Sequence, residues 1–147
     1  MSLTTAQLIA LKSELINDPK GLGLNVLYAN GQDQDAADAL NLIRVGGDYQ
    51  INAEPVHAKD VVKAISLADF NAMTPTDFQK LTILFLMGDI ELANPVTQTL
   101  LGSVFPAGGQ TRTNLIALSK RQGCRAEVLF GNGVRVSASD VANTRNV

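Results

Sequence analysis

The chain has 147 residues, enough for one domain with a sizeable core, and its 46% hydrophobic and 18% charged residues mark it as globular rather than disordered. Its net charge of −2 is unevenly spread: residues 1–110 carry six bases against twelve acids, and residues 111–147 carry six against two. One cysteine excludes an internal disulfide framework, and the longest apolar run, 81–87, broken only by Thr82, is far shorter than the about 20 residues a membrane span needs.

The core must be aliphatic, since tryptophan is absent and aromatics make up only 5%. The N-terminus lacks the cationic start, continuous apolar stretch and cleavage site of a signal peptide, so the chain is expected to be soluble and intracellular when made. Leu8, Leu11 and Leu15 recur at helical spacing and predict a helix over 5–17, capped by Thr4 or Thr5 and ended by Asp18-Pro19. Gly21 and Gly23 turn the chain into a short apolar piece, 22–28. A polar loop then leads to a second helix over 34–44, with Ala36, Ala39, Leu40 and Ile43 on its apolar face and Gly46-Gly47 closing it. Residues 49–53 alternate over too short a distance for more than one short strand.

Glu54-Pro55 predicts the start of a third helix through Val61, Val62 and Ile65, followed by a brief turn at 67–73. Thr74-Pro75-Thr76-Asp77 is a strong helix start: an N-cap residue, a proline at the first helical position and a carboxylate at the third. The helix after it is predicted to run to about 92. Phe78, Leu81, Leu84, Phe85 and Leu92 share one face, while Ile83, Leu86, Met87 and Ile90 fill much of the remainder. A helix apolar nearly all round is expected to be enclosed by its neighbours, as the central helix of a bundle. Asn94-Pro95 starts another helix ending near Phe105. Residues 106–109 then break the chain where the charge changes sign. The last third reads as a basic helix, a break at Gly123, a second short helix, a Gly131-Asn132-Gly133 turn and a capped terminal helix.

The expected fold is mainly α, a small bundle of about five to seven helices with at most a short strand or hairpin. An acidic body, 1–107, and a basic C-terminal docking module, 108–147, would pack as one compact domain.

Catalytic and metal-binding patterns are missing. His57 is the sole histidine, and a nucleophilic triad or histidine-bearing metal site needs partners that the sequence does not set beside it. Asp33, Asp35 and Asp38 fail as a calcium loop, because its sixth and twelfth positions would be Asp38 and Arg44 rather than glycine and glutamate. Gly21-Leu22-Gly23 and Gly131-Asn132-Gly133 lack the further glycine or Lys-Ser/Thr of a nucleotide loop. No catalytic residue, cofactor or metal is therefore assigned. Arg112, Lys120, Arg121, Arg125 and Arg135 remain as the candidate docking surface. Arg112 and Lys120, eight apart on a helix, would share a face. Two readings stand, a solvated charged face or a site for nucleic acid or an acidic protein. Nucleic acid is the weaker partner, since the segment after Gly123 is short, its 128–130 run is apolar, and no aromatic platform offers stacking.

Thr111-Arg112-Thr113-Asn114-Leu115, then Arg125-Ala126-Glu127-Val128-Leu129-Phe130-Gly131-Asn132-Gly133, then Ser137-Ala138-Ser139-Asp140-Val141 resembles the ending of a recurrent set of small tailed-bacteriophage and prophage proteins. The opening, LTTAQLIALKSELINDP, is similar to the same proteins' starts. The resemblance covers both ends of the chain. It implies a virion structural or assembly component with no catalytic residue, made in the host bacterial cytoplasm and located in the virion. In that reading Phe130 pins the short helix, Gly131 and Gly133 re-aim the chain, and Ser137 with Asp140 forms a capping box. The expected function is non-catalytic docking of a homo-oligomer, a ring being its natural form, onto portal, neck or tail subunits at the head–tail junction or in the tail, with no membrane partner. The alternative is a cytoplasmic phage accessory protein, an assembly chaperone or nucleic-acid-binding regulator, that is not retained in the particle.

Overall fold

Thr4 begins the first helix through a reciprocal cap: its hydroxyl accepts from the Gln7 amide, and the Gln7 side-chain oxygen accepts from the Thr4 amide. Helix α1 (Thr5–Asn17) follows, with Leu11 and Leu15 fully buried. The computed structural model describes residues 2–147. After a turn through Gly23 come α2 (Leu24–Ala29) and α3 (Asp33–Asn41). The latter ends three residues before the predicted 44, because Leu42 turns extended and Ile43 forms an isolated antiparallel bridge with Cys124. A 3-10 turn (Gly47–Tyr49) leads into strand β1 (Gln50–Asn52).

The middle of the chain departs most from the periodicity reading. Glu54-Pro55 does not start a helix. Strand β2 (Val56–His57) comes first, and α4 (Ala58–Ala64) begins only at Ala58. The predicted turn at 67–73 is instead a helix, α5 (Leu67–Ala72), capped by the Ser66 hydroxyl accepting from the Asp69 amide. Helix α6 (Pro75–Leu86) starts at the predicted Thr74 cap but ends at Leu86, two residues before the left-handed Gly88 and short of 92. The chain then extends as β3 (Asp89–Ile90), whose antiparallel register sets Val56 opposite Ile90 and His57 opposite Asp89. This long-range pairing overrides both local signals, the Pro55 helix start and the apolar continuation of α6.

Helix α7 (Pro95–Val104) opens on the predicted Asn94 cap. Residues 106–109, the expected subdomain boundary, form the loop between α7 and α8 (Gln110–Leu118). The basic helix therefore ends before Lys120, which lies in β4 (Lys120–Gln122), paired with β1. Arg112 and Lys120 do not share a helical face. The chain ends with α9 (Arg125–Phe130), α10 (Ala138–Asn143) and a 3-10 turn (Thr144–Asn146).

The fold is mainly helical, with ten α-helices among the described residues rather than five to seven, and only short strand pairs. Five of the helices have just six or seven residues. Two turns hold too few apolar positions to establish a 3.6-residue period, so they escape a pattern search.

The chain forms two compact units. The first comprises the residues up to 51 together with 122–147, and the second comprises 52–121. In the first, Leu11, Leu15, Leu24, Ala36, Leu40, Cys124, Ala126 and Val141 make the core. In the second, Val61, Leu81, Leu84, Ile90, Leu101, Phe105 and Leu115 do so. Only Leu81 and Leu84 of α6 are buried, while Ile83, Leu86 and Met87 are exposed. The expectation of a helix enclosed by its neighbours is thus corrected: α7 and β3 are the elements packed closely along it, and they leave its outer face uncovered.

Candidate functional site

In the first unit, Gly123 leaves the space that the C-terminal motif needs. A Cβ at that position would lie 2.7 Å from Ile51 Cδ1 and 3.0 Å from the Glu127 carboxylate. With no side chain there, Glu127 folds back as the N-cap partner of α9 and accepts from the Cys124 amide at 3.1 Å. The other oxygen of Glu127 accepts from the Gly133 amide at 3.1 Å, and Arg135 Nη1 lies 3.2 Å from the carboxylate. The buried Glu127 thus ties the start of α9 to the Gly131-Asn132-Gly133 turn. Gly131 and Gly133 have φ of 108 and 77, a region costly for residues with a Cβ.

Arg125 is turned inward. Its Nε and Nη2 donate to the two oxygens of Glu14 on α1, at 2.6 and 2.9 Å. The side chains are 12% and 6% exposed, and the Glu14 hydrogen bond holds the guanidinium above its ordinary pKa. Such a bidentate pair leaves Arg125 little surface for a partner. Arg135 also donates to Cys124 Sγ at 2.9 Å. The sequence did carry a signal for Glu14, an acid within the apolar stripe of Leu11 and Leu15. An acid on a buried face requires a cation.

Ser137 and Asp140 form the predicted capping box of α10, and Asp140 also accepts from the Leu3 amide at 3.4 Å. Burial pushes the Asp140 carboxyl up, but the bonds from Ser137 and Leu3 outweigh it and hold the pKa low. Phe130 packs, half-buried, against the first unit's core.

In the second unit, the Thr-Arg-x-Asn-Leu motif is a set of stitches. The buried Thr111 hydroxyl accepts from the Ser66 amide at 2.8 Å, and the Thr111 amide donates to Asp69 at 3.1 Å. Arg112 Nη2 donates to the carbonyls of Gly102 and Phe105, at 2.9 and 2.8 Å, and so closes the C-terminal end of α7. Asn114 donates to the Ala64 carbonyl at the end of α4, at 2.9 Å. Leu115 enters the core. The Lys120 amine bonds Asn52, and Arg121 lies beside it in β4. Of the five predicted docking residues, Arg112, Lys120 and Arg121 therefore belong to the second unit, and Arg125 and Arg135 to the first.

The second unit also exposes apolar surface. Val62, Leu67, Phe70, Phe78 and Phe85 line a groove of about 410 Å³ beside α4, α5 and α6. Phe70 and Phe78 meet edge to face with centroids 5.6 Å apart. A smaller cavity of about 270 Å³ is lined by Leu92, Leu101, Phe105 and Ile116, with Arg112 on its wall.

The remaining polar candidates are accounted for locally. His57 Nδ1 lies 2.6 Å from Asp89 across the β2–β3 pair, both exposed. Cys124 is fully buried, and burial pushes its thiol pKa up, which disfavours the reactive thiolate. Asp33 pairs with Arg145, Asp35 accepts from Gln32, and Asp38 accepts from Gln34. Among the described residues no three His, Cys, Asp or Glu groups are placed to hold a metal, and no helix is long and apolar enough to cross a membrane. No known protein family, curated protein or solved structure matches the chain.

Proposed function

We propose that the protein is a non-catalytic structural component of a tailed-phage virion, docking as an oligomer onto portal, neck or tail subunits. The docking reading is carried by the groove of the second unit, where Leu67, Phe70 and Phe78 expose apolar surface around a concave apolar floor. Exposed contiguous apolar surface of this kind marks protein–protein contact. Arg112, Arg125 and Arg135 are engaged within their own units, so the groove rather than these three is taken as the docking element, with Lys120 and Arg121 kept as further candidates. The phage assignment rests on the resemblance of the Thr-Arg-x-Asn-Leu, Arg-Ala-Glu and Ser-x-x-Asp motifs. Each of those motifs has a structural task here, as suits a module that serves as scaffold rather than catalyst.

Mass spectrometry of purified particles, quantifying copies of this chain per portal ring, tests the proposal. A stoichiometric, ring-like copy number is expected. Complete absence from particles would overturn it in favour of an accessory factor, whose binding to nucleic acid would then be tested by its salt dependence.

A further inference from the structure

We propose that the outer face of α6 and α7 is a contact between two copies of this chain, packed antiparallel about a two-fold axis. Lys80 and Met87 are seven residues apart along α6 and its cap, and Val96 and Ser103 are seven apart on α7. Seven residues make about two helical turns, so each pair shares a face. The two helices pack together, and the Lys80 amine donates to the Ser103 hydroxyl at 3.1 Å, joining those faces at one end. The spacing then sets Met87 and Val96 together at the other end, beside Ile83 and Leu86. All four are exposed, at 64% for Ile83, 82% for Leu86, 73% for Met87 and 76% for Val96. They leave on the order of 500 Å² of apolar surface in water, the upper range for the largest patch on a monomer.

Two observations select a second copy as the occupant. Joining two such patches buries about 1,000 Å², the threshold for a specific interface, so a second copy is a sufficient partner. The charges are also self-complementary. Lys80 stands at one end of the patch, and the exposed Glu91 follows its other end, Asp89 being paired there with His57. An antiparallel two-fold contact sets each lysine toward the partner copy's glutamate, whereas a parallel one opposes like charges. This contact lies on a different face of α6 from the groove, and it is a property of the isolated protein, whether or not the protein resides in a particle.

Sedimentation equilibrium of the full chain tests the proposal. The wild type is expected at twice the chain mass at micromolar concentration. Leu86→Glu with Met87→Glu should sediment as a monomer with an unchanged far-ultraviolet circular dichroism spectrum, since both side chains are exposed. Lys80→Glu should weaken dimerisation about fivefold at low salt, in line with exposed ion pairs, and adding Glu91→Lys should restore it. A wild type that stays monomeric to about a hundred micromolar, or that forms larger closed rings without a dimer, overturns the proposal. So does a double glutamate variant that still dimerises.

Discussion

Arg125 shows how a surface-type residue becomes structural. Its guanidinium matches both oxygens of Glu14 in a nearly buried pair, so removing one partner strands the other charge away from water. Arg125→Glu is therefore expected to destabilise the protein by about 3–5 kcal/mol, because it sets two carboxylates face to face. Urea denaturation measures this. A loss under about 1 kcal/mol would show that the pair is solvated and returns Arg125 to the docking surface. Replacing Glu14 and Arg125 together with Met and Leu should recover most of the loss, since apolar residues need no partner. The sequence shows the arginine and the acid but not their meeting. They are 111 positions apart, and only the fold brings α9 onto α1.

Among elements, legibility follows length and capping. The start of α1, the Thr74 start of α6, the Asn94 start of α7 and the Ser137 box of α10 were readable, because each cap is made by residues within three positions of one another. The ends of α3 and α6 were not, because Cys124 and Val56 decide where the helix gives way to extended pairing. Gly102 is a similar case. A glycine inside α7 costs about 1 kcal/mol in helix propensity relative to alanine. Its reason is Arg112, whose Nη2 lies 2.9 Å from where a Cβ would stand. Gly102→Ala is thus expected to destabilise the wild type by about 1 kcal/mol, as the displaced guanidinium loses charged hydrogen bonds to the helix end. In an Arg112→Ala background the same change should stabilise by about 1 kcal/mol. Chemical denaturation of the four-member cycle reads this reversal of sign. Equal effects in both backgrounds would remove Arg112 as the reason for the glycine.

For the molecule as a whole, acid is the common weakness of both units. Asp48 is held below the ordinary carboxylate range chiefly by the Lys20 hydrogen bond, Asp69 by the Thr111 hydroxyl and Asp77 by the Thr74 amide. Asp140 is held low despite its burial. A carboxyl with a depressed folded-state pKa contributes fully above its unfolded value of about 3.9, and that contribution fades as the pH falls through the folded value. The melting temperature should therefore hold between about pH 7 and pH 5 and drop steeply below about pH 4. Asp140→Asn should flatten part of that drop. A melting temperature unchanged at pH 3 would mean that these bonds are equally present in the unfolded chain.

The first unit is discontinuous in sequence, and this has a consequence for how the protein is made. Residues 52–121 carry the whole core of the second unit, so it can close as soon as that stretch leaves the ribosome. The first unit cannot. Leu11, Leu15 and the charged Glu14 have no Cys124, Ala126, Val141 or Arg125 to meet until residues 122–147 are translated. Helix α1 is thus among the last elements to be buried although it is made before the second unit, and it waits, apolar face open, for α9 and α10.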